Sequence, residues 1–336
     1  MRAAVVETPG RVAVADVAEP CPRAAEVVVE VGACGICGTD LHIFAGEFPP
    51  TPYPIVPGHE FAGRVVEVGA DVRTGIRIGD RVAVDPSLFC GHCGPCRAGR
   101  GNLCPNWGAT GDTVDGAFAE RVAVPAANAY ALPDHLSWQH GALVEPLSCA
   151  VHGLRRLDVE VGESVLVVGA GTMGLLLLQL LTLAGAQVTV VDHNEARLPL
   201  AEQLGARRAV TSVQEADRGR AGFAVAVDVT GAPAAIEDAF GALRRGGRLM
   251  VFGVAPAAAT VALSPFRLYN DEITVLGSMA VLHSFGTALD LMASGVVETA
   301  SLVTHGLPLE EFPGALDLVR AGAAVKVQIL PGAQAG

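Results

Sequence analysis

"SVLVVGAGTMGLLLLQLLTLAGAQVTVVD" (Ser164–Asp192) carries no charge before its last residue. It is longer than the roughly 20 apolar residues a membrane-crossing helix needs, but its internal order argues against a span. A β-branched run leads into a glycine cluster, then a leucine run, then a second β-branched run. That order predicts strand, tight turn, helix and strand, all buried within a parallel sheet. Gly169, Gly171 and Gly174 form G-x-G-x-x-G directly after the predicted strand and at the predicted helix start. Glycines at those positions allow a tight turn and let a dinucleotide pyrophosphate approach the helix N-terminus. Asp192 closes the next strand, where a carboxylate bonds the adenosine ribose hydroxyls and repels a 2′-phosphate, favouring NAD over NADP. Arg197 lies close enough in sequence to flank the adenine side and weakens that preference. Gly253, in "VFGV" (251–254), ends a later strand and suits the nicotinamide side.

Around this stretch, residues 147–280 alternate strand and helix patterns. "FAVAVDVTG", "GGRLMVFG" and "ITVLGS" continue the strands, with "EARLPLAEQLG" and "PAAIEDAFGALRRG" as helices between. The pattern predicts a doubly wound α/β sheet of the Rossmann type. Residues 1–146 differ. Short β-branched runs such as "AAEVVVEVGACG" and "FAGRVVEVGA" are punctuated by Gly, Pro and Asp, and predict a β-barrel-like domain with long loops. The tail, 281–336, holds two amphipathic helices and a last strand. "APAAATVAL" (255–263) reads as a surface connection.

Composition narrows the function. The chain has 336 residues, 51% of them apolar and 17% charged, and a formal charge of −12. That is an ordered globular protein lacking the positive face that nucleic acid demands. No nucleic-acid or membrane partner is expected. The N-terminus shows no signal-peptide run, so a cytoplasmic location is expected. Lys326 is the single lysine, which excludes a P-loop. It lies in "AAVKVQIL", a terminal strand pattern, and reads as a residue without catalytic work.

In a reducing compartment, closely spaced cysteines favour metal or redox chemistry over disulfides. "CGHCGPCRAGRGNLC" brings Cys90, Cys93, Cys96 and Cys104 into fifteen residues. Four thiolates fill a zinc tetrahedron and leave no corner for substrate, so this lobe, about 88–106, is a structural site. His92 reads as solvated. Unlike ligands cluster elsewhere: "CGICGTDLH" (34–42), "PGHEFAG" (57–63) and "GALVEPLSCAVHG" (141–153). A Cys, His and Glu set supplies three protein ligands and leaves a fourth corner open, as catalytic zinc requires. Cys34 and Cys37 also form C-x-x-C, but the metal reading takes Cys37. Cys21, Cys34 and Cys149 read as small buried residues.

Together these motifs resemble the zinc-containing medium-chain alcohol dehydrogenases, within them the sorbitol and threonine dehydrogenase branch. The resemblance runs from "CGICGTDLH" and "PGHE" through the cysteine lobe and "EPLS" to "GAGTMG" and "LVTH". It implies a GroES-like catalytic domain formed by 1–146 and 281–336, with a Rossmann domain at 147–280. Cys37, His59 and Glu145 resemble the catalytic zinc ligands, and Glu60 the adjacent carboxylate that can approach the metal. Thr39 and His42 match positions that relay the alcohol proton outward. Met173, Asp192 and Arg197 match positions that contact NAD. The implied cofactors are NAD and two zinc ions per subunit, one catalytic and one structural, and the implied assembly is a homodimer or homotetramer.

The implied activity is NAD-linked interconversion of a small secondary alcohol, polyol, sugar alcohol or cyclitol-like, and its ketone. Oxidation of an amino alcohol, as in threonine dehydrogenases, is the alternative. A non-catalytic zinc- and nucleotide-binding module is the alternative of another class, and would show a broken ligand set. Two departures from the sorbitol enzymes concern polyol hydroxyls. Gly306 stands where those enzymes carry an arginine, and Ile43 where an aromatic residue is frequent.

Overall fold

The computed structural model describes residues 1–48, 50–217 and 221–333. The chain divides into two compact units, Met1–Ser148 with Val281–Gly336, and Cys149–Ala280. The first boundary falls inside the helix Val144–Leu157. Residues 334–336, at the end of the expected tail segment, lie outside the described residues.

In the first unit a seven-stranded sheet runs in the order Val303–Leu307, Lys326–Ile329, Glu26–Gly35, Glu60–Val68, Arg81–Val84, Ala129–Ala131, and Arg121–Pro125 also pairs with Glu26–Gly35. Alternation alone does not describe the central strand. Val27, Val28 and Val29 are all fully buried, because this strand is covered on both faces. Phe118 and Phe312 meet with ring centroids 4.5 Å apart, in a core shared with Phe61 and Leu309. The C-terminal strand pairs antiparallel with Glu26–Gly35, Gln328 opposite Gly35 and Ile329 opposite Cys34. This pairing brings the end of the chain beside "CGICGTDLH". The tail also contributes Val303–Leu307, a strand the sequence pattern did not single out.

The second unit is built on a wholly parallel six-stranded sheet. Its order is Arg208–Val210, Gln187–Val191, Ser164–Val168, Phe223–Asp228, Leu243–Val251, Thr274–Gly277. Numbered within the sheet this is 3-2-1-4-5-6, the Rossmann order. The charge-free stretch is accounted for by burial. Ser164–Val168 is a central strand and Leu175 to Leu178 are fully buried. Each buried leucine is worth about 1.5–3 kcal/mol. Among the described residues no helix is long and apolar enough to cross a membrane. The edge strand Arg208–Val210 has three residues and no β-branched run, which is why the sequence pattern showed five strands rather than six.

Two expectations are corrected. Cys21 is exposed, whereas Cys34 is buried and Cys149 half-buried. A cysteine between prolines in an irregular segment has no sheet face to turn inward. Ile43 is fully buried among Val6, Ile55 and Tyr53, so the departure at this position serves a local core.

Candidate active site

Cys90, Cys93, Cys96 and Cys104 converge, with ligand atoms all within 4.8 Å of one another. Their sulfurs lie 3.6 Å (Cys104–Cys90), 3.8 Å (Cys93–Cys104) and 4.0 Å (Cys90–Cys96) apart. A zinc–sulfur bond of about 2.3 Å gives a tetrahedral edge of about 3.8 Å, so the four sulfurs fit one ion. Backbone N–H groups of His92 and Cys93 aimed at Cys90 lower its pKa to about 6, favouring the thiolate that a metal binds. His92 is exposed, its Nδ1 2.7 Å from the Cys90 carbonyl.

A second group forms where two unrelated turns meet. Cys37 is the N-cap of the helix Gly38–Ala45, and Asp40 Oδ2 accepts from the Cys37 N–H at 2.8 Å. His59 follows Gly58, whose φ is +105°; a Cβ there would come within 2.8 Å of the Phe118 nitrogen. Glycine at that corner lets the chain turn so that His59, just before the strand Glu60–Val68, and Glu60, its first residue, come close to Cys37. The ligand atoms of Cys37, His59 and Glu60 all lie within 4.8 Å of one another. His59 and Glu60 are buried, and Cys37 is half-buried. Sulfur, imidazole and carboxylate are the donor types zinc takes, and the set fits the ion.

Glu145 stands outside that close group. It is buried in the first turn of the helix Val144–Leu157, near enough to Lys326 to favour that residue's charge. Thr39 Oγ1 is 3.8 Å from Cys37 Sγ. His42, one turn on, is partly exposed and its Nδ1 lies 2.8 Å from Glu47 Oε2. Residues three apart share a helix face, so Thr39 and His42 lead from Cys37 toward solvent.

Lys326 belongs to this group, contrary to the reading from its strand. The strand is there, Lys326–Ile329, but the lysine is buried, and its Nζ donates to Glu60 Oε2 at 2.5 Å and to the Ile36 carbonyl at 3.0 Å. Burial opposes its charge; Glu60, then Cys37 and Glu145, outweigh that and raise its pKa. Gly35 completes the seat, since a Cβ there would fall 2.2 Å from Glu60 Oε2. The one available signal was compositional: a chain that uses arginine everywhere else keeps a single lysine here.

Two more carboxylates surround His59. Its Nδ1 lies 3.0 Å from Asp112 Oδ1 and 3.9 Å from Asp40 Oδ1, and all three residues are buried. Burial opposes a charge on His59, but Asp112 and Asp40 outweigh it and raise its pKa well above the usual value. Burial pushes the Asp40 pKa up to about 7 and that of Cys34 up as well.

The glycine cluster lies between the strand Ser164–Val168 and a helix in the second unit. Gly169 has φ +113° and Gly171 caps the helix Thr172–Leu183. A Cβ on Gly174 would sit 1.8 Å from the Gly169 carbonyl oxygen, so only glycine lets helix and turn approach. Met173 lies in the first turn of that helix. Asp192 is buried at the end of the second strand; its Oδ2 accepts from the Ala170 N–H at 2.7 Å and lies 3.4 Å from Arg197 Nη1. Gly253 donates to the Asp228 carbonyl at 3.0 Å, and a Cβ there would meet the Gly231 nitrogen at 2.1 Å.

Residues 23–134 match the family model "Alcohol dehydrogenase GroES-like domain" and 172–294 match "Zinc-binding dehydrogenase". D-arabinitol dehydrogenase 1 of Uromyces fabae is 37% identical over 317 residues, covering 91% of this chain and 90% of the relative. L-threonine 3-dehydrogenase of Aeromonas hydrophila subsp. hydrophila is 34% identical over 313 residues, covering 90% and 91%. A zinc-binding dehydrogenase of Sinorhizobium meliloti 1021, solved bound to NADP, superposes with a TM-score of 0.93 at 37% identity, covering 98% of this chain and 99% of that one. The chain belongs to the zinc-containing medium-chain alcohol dehydrogenases and is an alcohol oxidoreductase of that family.

Proposed function

We propose that this dehydrogenase oxidises a secondary hydroxyl of a small polyol to the ketone, using NAD and two zinc ions per chain. The observation that carries the reading is the convergence of half-buried Cys37 with buried His59 and Glu60, the Glu60 charge matched by Lys326. Cys37, His59 and Glu145 would hold the catalytic zinc, and the four cysteines the structural one. When bound, zinc supplies Lewis acidity toward an alcohol and NAD accepts a hydride.

The chain's own residues do the rest. Thr39, beside Cys37, takes the alcohol proton, and His42 passes it outward, since an imidazole exchanges protons with water near neutral pH. Lys326 and Gly35 hold Glu60 in a seat next to the ligands without leaving its charge unpaired. Gly169, Gly171, Met173 and Gly174 receive the pyrophosphate region of NAD. Asp192 faces the adenosine ribose and disfavours a 2′-phosphate, although Arg197 at 3.4 Å tempers its charge.

A polyol is favoured over an amino alcohol by the arabinitol dehydrogenase relative, at 37% identity. Gly306 is exposed on Val303–Leu307. Without the arginine of sorbitol dehydrogenases there, fewer donors reach a long polyol chain. Zinc per chain should be counted, then turnover measured on pentitols, hexitols, simple secondary alcohols and L-threonine with NAD and with NADP. Two zincs and best turnover on a pentitol or a simpler secondary alcohol with NAD are expected. Best turnover on linear hexitols, or on L-threonine, would overturn the substrate reading. A chain holding only one zinc and reducing no NAD(P) would overturn the site.

A further inference from the structure

Asp112 lies on a loop that supplied none of the expected site residues. It follows the cysteine lobe in sequence and is tied to it in space. The lobe's neck is a two-stranded pairing of Ser87–Leu88 with Gly108–Ala109, two residues before Cys90 and four after Cys104. From there the chain doubles back. The Asp112 and Thr113 N–H groups donate to the Ala109 carbonyl at 3.1 and 3.0 Å, and Thr113 Oγ1 accepts from the Ala109 N–H at 3.0 Å. The far side of the loop is fastened to the turn that carries His59: Gly116 N–H donates to the Val56 carbonyl, Ala117 N–H to the Gly58 carbonyl and Phe118 N–H to the Pro57 carbonyl, at 2.7, 2.9 and 3.0 Å. A Cβ on Gly111 or Gly116 would come within 2.4 Å of the Gly58 carbonyl oxygen, so the loop and the turn share one close surface.

The result is a buried carboxylate set against the nitrogen of His59. Asp112 Oδ1 is 3.0 Å from Nδ1, while Asp40 Oδ1 is 3.9 Å away. Asp40 is also committed elsewhere, its other oxygen accepting from Cys37 N–H. A ring nitrogen that donates to a carboxylate keeps its proton and turns the other nitrogen's lone pair toward a metal. Nδ1 and Asp112 Oδ1 lie within hydrogen-bond distance at 3.0 Å, and a turn of the ring would complete the bond that neither atom makes as they stand.

From this geometry we infer that Asp112, rather than Asp40, is the positioning residue that sets the orientation and tautomer of His59, and that the neck of the cysteine lobe holds Asp112 in place. The inference rests on the reading of His59 as a ligand of the catalytic zinc. It gives the sealed lobe work at a distance: the loop leaving it orients a ligand of the open site.

The test compares wild type, D112N, D40N and T113V as full-length protein. Zinc affinity at each site is measured by chelator competition, with cobalt(II) substitution reporting the open site by its visible spectrum. D112N should weaken the open site by about 10–100-fold and leave lobe affinity unchanged. D40N should weaken it less, and T113V, which removes the side-chain part of the tie to the neck and keeps its backbone bonds, by about 5-fold. If wild type binds a single metal per chain, the active-site reading falls and the role of Asp112 with it. If wild type binds two and D112N binds both equally well, only the role of Asp112 falls. A larger effect from D40N would overturn the choice between the carboxylates. Loss of lobe metal in D112N would show a structural role instead, and an unchanged T113V would overturn the part of the anchoring assigned to the Thr113 hydroxyl.

Discussion

The four-cysteine lobe and the Cys37–His59–Glu60 group both suit zinc, and they are built in opposite ways. The lobe takes its ligands from fifteen consecutive residues, offers a single donor type and sits largely half-buried. Its sulfurs are supported by backbone N–H groups, including Asn106 N–H at 3.3 Å from Cys104. The open group draws on the helix Gly38–Ala45, the turn before Glu60–Val68, the loop at Asp112 and the last strand, and it buries charges of both signs. A closed sulfur tetrahedron is complete once its loop has folded. A mixed site with a vacant corner must have each ligand held by something else, because fewer metal bonds fix it.

The largest effect should come from breaking the open group while sparing the lobe. Replacing His59 by alanine is expected to lower turnover about 10⁴-fold, roughly 5.5 kcal/mol on the barrier, with one zinc per chain retained. Zinc analysis alongside single-turnover kinetics checks both halves. If H59A also empties the lobe, the two regions are not separable in this way.

Next is the buried pair. K326M leaves Glu60 charged and unpaired in the interior, at an expected cost of about 3–5 kcal/mol in stability. The double variant K326M/E60Q should recover most of that loss, since it removes the stranded charge. Denaturant unfolding of the four members of this cycle reads the coupling directly. Additive losses would show that the pair at 2.5 Å contributes no interaction of its own.

A smaller effect is expected in the lobe. C96S should lower zinc content by one and the melting temperature by about 5 °C, with kcat on the best substrate falling less than 10-fold. Differential scanning calorimetry with zinc analysis tests this. A loss of turnover as deep as that of H59A would mean the lobe takes part in the chemistry.

The same contrast explains what could be read in advance. Order along the chain carried the Rossmann half, because strand, glycine cluster and helix are consecutive and the leucine run has one buried explanation. The lobe was legible for the same reason. The Cys37–His59–Glu60 group was legible only where its members sit in short motifs, "CGICGTDLH" and "PGHE". Lys326 lies 266 positions from Glu60, and Asp112 lies far from His59 in sequence; the first meeting appears only once the strand Lys326–Ile329 pairs with Glu26–Gly35. Nothing local marks either residue: a lysine in a β-branched run looks like a strand residue, and an aspartate after Gly111 looks like a turn. Cys21 failed in the opposite direction, since its small apolar side chain predicted burial and its irregular segment supplied no core.

The smallest expected effect concerns a histidine that belongs to neither region. His59 and His152 are both buried, but their neighbours have opposite sign. Carboxylates raise the pKa of His59. Burial, then Arg156 and Arg155, lower that of His152, and its Nε2 has no hydrogen-bond partner among the described residues. The unfolded chain, with a pKa near 6.5, therefore takes up a proton at His152 before the folded chain does. Its neutral form contributes stability that is complete above about pH 6.5 and is lost as the pH falls below that value toward the depressed folded pKa. H152Q cannot titrate, so its melting temperature should fall less than that of wild type between pH 7.5 and 5.5, by one or two degrees. Parallel melting curves for the two proteins across that range would mean that His152 keeps an ordinary affinity for protons in the fold, and that the two arginines on its own helix are too well solvated to act on it.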